Sequence, residues 1–131
     1  MSSIGAKHRK FIRFALKVAQ ESPARQKQRL GCVIVSRNTL VSFGFNKMFK
    51  THPKARHYPF PYLHAELVAL INANRADLNR ATAYIGRVRR ISPMGMAYPC
   101  LCCKNMFQEF GIKDFYFTKD DGNIGYELLT Q

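Results

Sequence analysis

Acidic side chains are scarce in this chain. It holds 8 Asp and Glu against 21 Lys and Arg in 131 residues, a formal charge of +13. The shortage is concentrated at one end: residues 1–56 carry 13 basic residues with Glu21 as their one acid, whereas the remainder carries 8 basic and 7 acidic residues. Long apolar runs are lacking too, since none approaches the ~20 residues that a membrane-spanning helix requires. Met1 to Gly5 lead into a basic, helix-like stretch without the apolar core of a secretory signal. There is no internal repeat and no low-complexity segment. Together these absences exclude a membrane partner and predict a soluble, cytoplasmic protein.

Cysteine is sparse but clustered. Of Cys32, Cys100, Cys102 and Cys103, three fall within four residues, where neighbours pair poorly. In a chain without a secretory signal such a cluster suits metal binding or redox chemistry better than a disulfide frame. A hydrophobic fraction of 47%, with 10 Phe and 6 Tyr, supplies a real core. Length and composition fit one domain spanning residues 1–131. The positive field of the first half favours an anionic partner, either a nucleotide phosphate, a polynucleotide or an acidic protein.

Hydrophobic spacing supplies the elements. Phe11, Phe14, Ala15 and Val18 form one face of a helix over residues 6–20, with Lys10, Arg13 and Lys17 on its other side. Ser22-Pro23 ends it. Leu30 to Val35 is a β-branched run, and Leu40 to Phe45 is its hairpin partner across Arg37-Asn38. A long loop over residues 46–62 holds Lys47, Lys50, His52, Lys54, Arg56 and His57. His64 to about Arg75 is helical, with Leu67, Leu70, Ile71 and Ala73 inward. Ala81 to Val88 is a strand. Cys100 to Phe110 is a helix closed by Gly111, and Ile112 to Thr118 is a strand. The segment after Gly122 is compatible with strand or helix. The order αββαβαβ predicts an α/β protein with a central sheet covered by helices on both faces.

Two motifs concentrate the chemistry: His64-Ala65-Glu66, and Pro99-Cys100-Leu101-Cys102-Cys103. Cys100 and Cys103 are three apart on one helix face, Pro99 suits a first turn, and His64 opens another helix. Helix-start amides should make these thiols easy to ionise. An imidazole and two thiolates give Zn2+ three protein ligands and leave its fourth position open. Glu66, two residues from His64, is off the imidazole's face and suits proton transfer rather than ligation. A structural zinc would need a fourth donor, for which Cys102, His52 and His57 are in range of the sequence pattern. Cys102, on another face of the helix, reads as a buried apolar residue. A redox pair would leave His64 and Glu66 without a role.

These two motifs match the H-x-E…P-C-x-x-C signature of the zinc-dependent cytidine and deoxycytidylate deaminase superfamily. Gly44-Phe45-Asn46, Thr51-His52-Pro53, Tyr62-Leu63 and Gly111-Ile112-Lys113 extend the resemblance over roughly residues 8–120. The resemblance implies a three-layer α/β/α fold with a mixed five-stranded sheet, Gly125 to Leu129 supplying the fifth strand. It implies that His64, Cys100 and Cys103 bind zinc, that Glu66 shuttles protons, and that Asn46 and the Ala65 backbone meet the sugar or base. It also implies a homo-oligomer. The chain is short for the additional zinc site and effector elements that some deoxycytidylate deaminases carry, and its first half is more basic than a mononucleotide enzyme needs.

The activity so implied is hydrolytic deamination of a cytosine nucleotide, dCMP to dUMP above all, with ammonia released. Lys47 and its loop neighbours, or Arg89 and Arg90, would hold the phosphate of this pyrimidine nucleotide. A competing reading is a polynucleotide deaminase acting on a base flipped from single-stranded nucleic acid or tRNA. There Lys10, Arg13 and Lys17 would follow the backbone, and Phe49, Tyr58, Phe60 or Tyr62 would stack on bases. A third is a zinc-stabilised nucleic-acid-binding module without activity. Salt separates the first from the others. A mononucleotide should bind with an affinity that varies little between 50 and 200 mM salt, whereas several phosphate contacts would cost orders of magnitude over that range, as a binding titration at the two salts would show.

Overall fold

The computed structural model describes residues 5–24, 26, 28–47, 63–89 and 94–129. Its elements run α1 (Ala6–Gln20), β1 (Arg29–Ser36), β2 (Thr39–Phe45), α2 (Ala65–Asn72), a 3-10 turn (Arg75–Leu78), β3 (Thr82–Val88), α3 (Leu101–Glu109), β4 (Asp114–Thr118) and β5 (Ile124–Leu128). The strands form one sheet in the order β2-β1-β3-β4-β5. β3 and β4 are parallel, joined through α3, and the other neighbours are antiparallel. The expected mixed five-stranded sheet is present.

Strand alternation sorts the core into two layers. Val33, Val35 and Tyr84 pack with Phe11, Ile12, Ala15 and Val18 of α1 on one face. Cys32, Ile34, Ala83 and Ile85 pack with Leu67, Leu70, Cys103 and Phe107 of α2 and α3 on the other. Helices therefore cover both faces, giving three layers. α1 turns its apolar stripe inward and leaves Lys7, Arg9, Lys10, Arg13 and Lys17 exposed. The β1–β2 connection is a two-residue turn, with Arg37 at φ 52° and Asn38 at φ 64°. Positive φ at both positions matches the right-handed twist of a hairpin.

The structure departs from the sequence reading in two places and settles a third. α2 ends at Asn72 rather than near Arg75, because Ala73 turns extended and the Asn74 side chain accepts from Ala76 N at 3.2 Å, starting a separate 3-10 turn. β4 begins at Asp114, two residues later than expected. The segment after Gly122, left open by its residues, is strand β5, antiparallel to β4 from Ile124 opposite Thr118 to Leu128 opposite Asp114.

One glycine sets the height of α2 over the sheet. A Cβ placed on Gly44 would press into the Val68 side chain and stand 2.8 Å from Ala69 N. β2 can lie this close to α2 because nothing projects between them, and Ser42 bonds across the same gap to Ala69 O at 2.8 Å. Gly44→Ala should accordingly destabilise the protein by about 1–3 kcal/mol through overpacking. Urea unfolding should show a lower midpoint with an unchanged slope.

Candidate active site

α2 and α3 present their first turns to the same point. His64 is the N-cap of α2 and Cys100 the N-cap of α3, both with extended backbone (ψ 150° and 165°) and neither side chain spent on capping its own helix. Cys103 stands three residues into α3. N-cap and N3 side chains meet over a helix start, the geometry that a capping box uses; here they are two sulfurs. One donor atom from each of His64, Cys100 and Cys103 lies within 4.8 Å of the others, and no other His, Cys, Asp or Glu joins such a group among the described residues.

These donors fit a zinc ion. A nitrogen at about 2.0 Å and a sulfur at about 2.3 Å from a tetrahedral centre stand roughly 3.6 Å apart, and His64 Nδ1 lies 3.5 Å from Cys103 Sγ. One imidazole with two thiols is also the donor softness that zinc prefers. The structure brings in no fourth donor from the described residues; Cys102 is outside the cluster, and His52 and His57 lie outside the described residues. Cys102 is partly exposed rather than buried as its position suggested.

Glu66 is buried at the second position of α2 and faces the same opening. Burial raises its pKa, against the lowering effects of its own backbone N–H and of a hydrogen bond from the Cys103 thiol. Burial also lowers the pKa of His64, which favours the neutral imidazole that ligates metal. The easily ionised thiols expected at a helix start are not found at Cys103. Burial first, and the Glu66 charge second, push that thiol far up. The helix-start amides are outweighed by loss of solvent.

The opening is a pocket of about 220 Å3 whose described lining is Gln28, Leu30, Asn46, His64, Ala65, Glu66, Arg87, Met96, Tyr98 and Cys100. That is below the roughly 300–1,000 Å3 of drug-sized sites and suits a ligand the size of a nucleobase. Its far wall is well fastened. Met96 N donates to Asp120 Oδ1 at 2.9 Å, Ala97 N to Thr118 O at 2.9 Å, and Lys104 Nζ to the Tyr98 hydroxyl at 2.9 Å.

The residues expected to meet substrate fare differently. Ala65 lines the pocket as expected. Asn46 does too, but its amide is engaged: Oδ1 accepts from Leu30 N at 2.9 Å and Nδ2 donates to Gln28 O at 2.8 Å, leaving one N–H for a ligand. Lys47 is outside the pocket lining. Its backbone bridges Leu63, just before His64, and its ammonium sits over the Phe45 ring at 5.6 Å. Arg89 is also outside it and pairs with Asp120 at 2.9 Å. Arg90, the loop cations Lys50, Lys54 and Arg56, and the aromatics Phe49, Tyr58, Phe60 and Tyr62 lie outside the described residues. Sequence reasoning missed Arg87. The signal was available as a charged residue at the same parity as inward-facing Ala83 and Ile85.

Comparison with known proteins agrees with this geometry. Residues 6–119 match the model of the cytidine and deoxycytidylate deaminase zinc-binding region, and the chain belongs to that family. It is 27% identical over 122 residues to the deoxycytidylate deaminase of Mus musculus, covering 84% of this chain and 63% of that one. It thus spans rather less than two thirds of that relative's length. Two solved structures share the fold. The cyanophage S-TIM5 dCMP deaminase in its apo form has TM-score 0.62 at 21% identity, over 91% of this chain and 89% of that one. The cytidine deaminase of Burkholderia pseudomallei has TM-score 0.68 at 18% identity, over 92% and 91%. No described helix is long and apolar enough to cross a membrane.

Zinc uptake should release protons. A Cys103 thiol held above its ordinary value keeps its proton through neutral pH, so the metal must displace it and binding must strengthen as pH rises. Apparent zinc affinity should climb about tenfold per pH unit for each proton displaced. Competition with a chromophoric chelator at pH 6, 7 and 8 measures this; a flat profile would contradict it.

Proposed function

We propose that the protein is a zinc-dependent hydrolase that deaminates a cytosine nucleotide, dCMP to dUMP in particular. The observation that carries the reading is a three-donor cluster and a buried carboxylate facing one nucleobase-sized pocket, in a chain of the cytidine and deoxycytidylate deaminase family. His64, Cys100 and Cys103 would hold the metal. When bound there, zinc supplies Lewis acidity that brings the pKa of water down from about 16 to about 7.

The remaining steps belong to the chain. Glu66 takes a proton from the attacking water and delivers it to N3 of the cytosine ring, which leaves C4 electron-poor. The hydroxide that remains adds to C4, Glu66 takes the second proton from that oxygen and passes it to the amino nitrogen, and the C4–N bond breaks, so that water and cytosine become uracil and ammonia. Burial raises the Glu66 carboxyl above its ordinary value, which favours the protonated form through which this shuttle passes. The Ala65 backbone and the spare N–H of Asn46 would orient the base, and Met96 and Tyr98 also line the pocket.

Placement of the basic row favours a nucleotide over a polynucleotide. Lys10, Arg13 and Lys17 project from α1, whereas the pocket opens at the starts of α2 and α3, across the sheet. A strand following that row would be led away from Glu66.

Glu66→Gln should lower kcat for dCMP by about 10^2–10^4-fold while zinc content stays at one per chain. Ammonia release and elemental analysis of the same preparations test this. Ammonia released from no cytosine nucleotide, in a screen with cytidine, deoxyadenylate and single-stranded oligonucleotides beside dCMP, would overturn the reading.

A further inference from the structure

We propose that Arg87 binds the phosphate ester of the substrate and so makes the pocket select a mononucleotide over its nucleoside. This rests on the reading of the site as a cytosine-nucleotide deaminase and adds the residue that recognises the charged part of the ligand.

Arg87 lies at the end of β3, opposite Leu30 of β1. Two steps along the strand from Ile85, it continues the face that looks toward α2 and α3. It is the one cation in the described lining of the pocket. Gly95 leaves room for its stem: a Cβ there would stand 3.2 Å from Arg87 Cδ and 2.6 Å from Arg89 Cδ. Gly95 N in turn donates to Arg87 O at 2.8 Å, which fixes the backbone from which the side chain departs.

The guanidinium is underused. Among the described residues two buried side-chain nitrogens lack a hydrogen-bond partner, Arg29 Nε and Arg87 Nε. Arg29 has a structural role that accounts for its position, since its guanidinium donates to Gln20 O at 2.6 Å at the end of α1. Among the described residues no acceptor is found for Arg87 Nε. The ion pairs found among the described residues are Arg89–Asp120 and Lys104–Glu127. A buried donor without an acceptor is costly, and native structures rarely keep one without a use.

Arginine has donors only, so its partner in the pocket must be an acceptor. A phosphate monoester offers several anionic oxygens in the geometry that a guanidinium fork matches, at about twice the strength of a neutral hydroxyl. A nucleoside fills the base site and leaves Nε unmet. Of the phosphate contacts that the sequence suggested, the two among the described residues, Lys47 and Arg89, are engaged by Phe45 and Asp120. Their role passes to a residue two positions before Arg89.

The test uses zinc-loaded Glu66→Gln protein, in which bound ligand is not turned over, titrated calorimetrically with dCMP and with deoxycytidine. The dCMP dissociation constant should be at least about tenfold the lower. In Glu66→Gln/Arg87→Gln protein of equal zinc content the ratio should collapse toward one. Arg87→Lys in the same background, which keeps charge but not the fork, should fall between. A measurement free of variant folding uses 15N-arginine labelling without Arg87 substitution. The Nε–H signal that Arg87→Lys removes should shift with dCMP and stay still with deoxycytidine. Equal affinities for the two ligands, an unchanged ratio in Arg87→Gln, or an Nε–H signal indifferent to dCMP would each overturn the assignment to Arg87 alone. Binding of neither ligand would overturn the deaminase reading and this inference together.

Discussion

Two helices that begin at one point are the constraint on which the site depends. His64 and Cys100 are the last non-helical residues before α2 and α3, so their side chains are free to point across rather than along the helix. The sheet makes the meeting possible. α2 lies on β1 and β2, and α3 is the crossover between parallel β3 and β4. Such a crossover packs back onto the sheet face in one sense. With α2 let down onto β2 at Gly44, the two starts reach each other. Residues far apart in the chain thereby become a ligand set because two backbone segments end, and no long side chain has to reach.

Burial then shifts three unlike groups, each away from its charged form. Loss of solvent disfavours charge, so the His64 imidazole is kept neutral, the Cys103 thiol is kept protonated and the Glu66 carboxyl is raised. Neutral imidazole is the ligating form. A thiol that resists ionisation in water gives up its proton to a metal, whose two charges two thiolates then balance. The carboxyl is left poised for proton transfer. One physical effect thus lowers the imidazole and raises the thiol and the carboxyl, according to the sign of each charged form.

The sequence was most informative where chemistry depends on residue type at short spacing. His64, Glu66, Cys100 and Cys103 were legible because metal binding and proton transfer demand those side chains at those offsets. The sheet was legible because Val33, Ile34 and Val35 and their partners are β-branched and because Arg37-Asn38 can adopt positive φ. The end of α2 was not, since Ile71 and Ala73 prolong the helical pattern past the point where Asn74 captures a backbone amide. The pocket's described cations could not be told apart for a related reason. Lys47, Arg89 and Arg87 look equivalent in one dimension, and only the acceptors beside them separate a cation already satisfied by Asp120 from one still unmatched. Asn46 shows the same limit, because its side chain is spent on the backbone of Gln28 and Leu30.

The large positive charge finds its place in the same separation. Most of it sits in the first half of the chain, and α1 carries five exposed cations on the layer opposite the pocket. At that distance the five α1 cations cannot select a substrate by contact. A summed field of one sign does act at a distance: it concentrates anions near the surface and speeds encounter, an effect that salt screens within about 10 Å. Selection needs a donor at hydrogen-bonding range, and in the described pocket Arg87 is the residue at that range. On the proposed reading the α1 cations and the pocket arginine are distinct devices: one would raise how often an anionic nucleotide arrives, and the other would hold it once there.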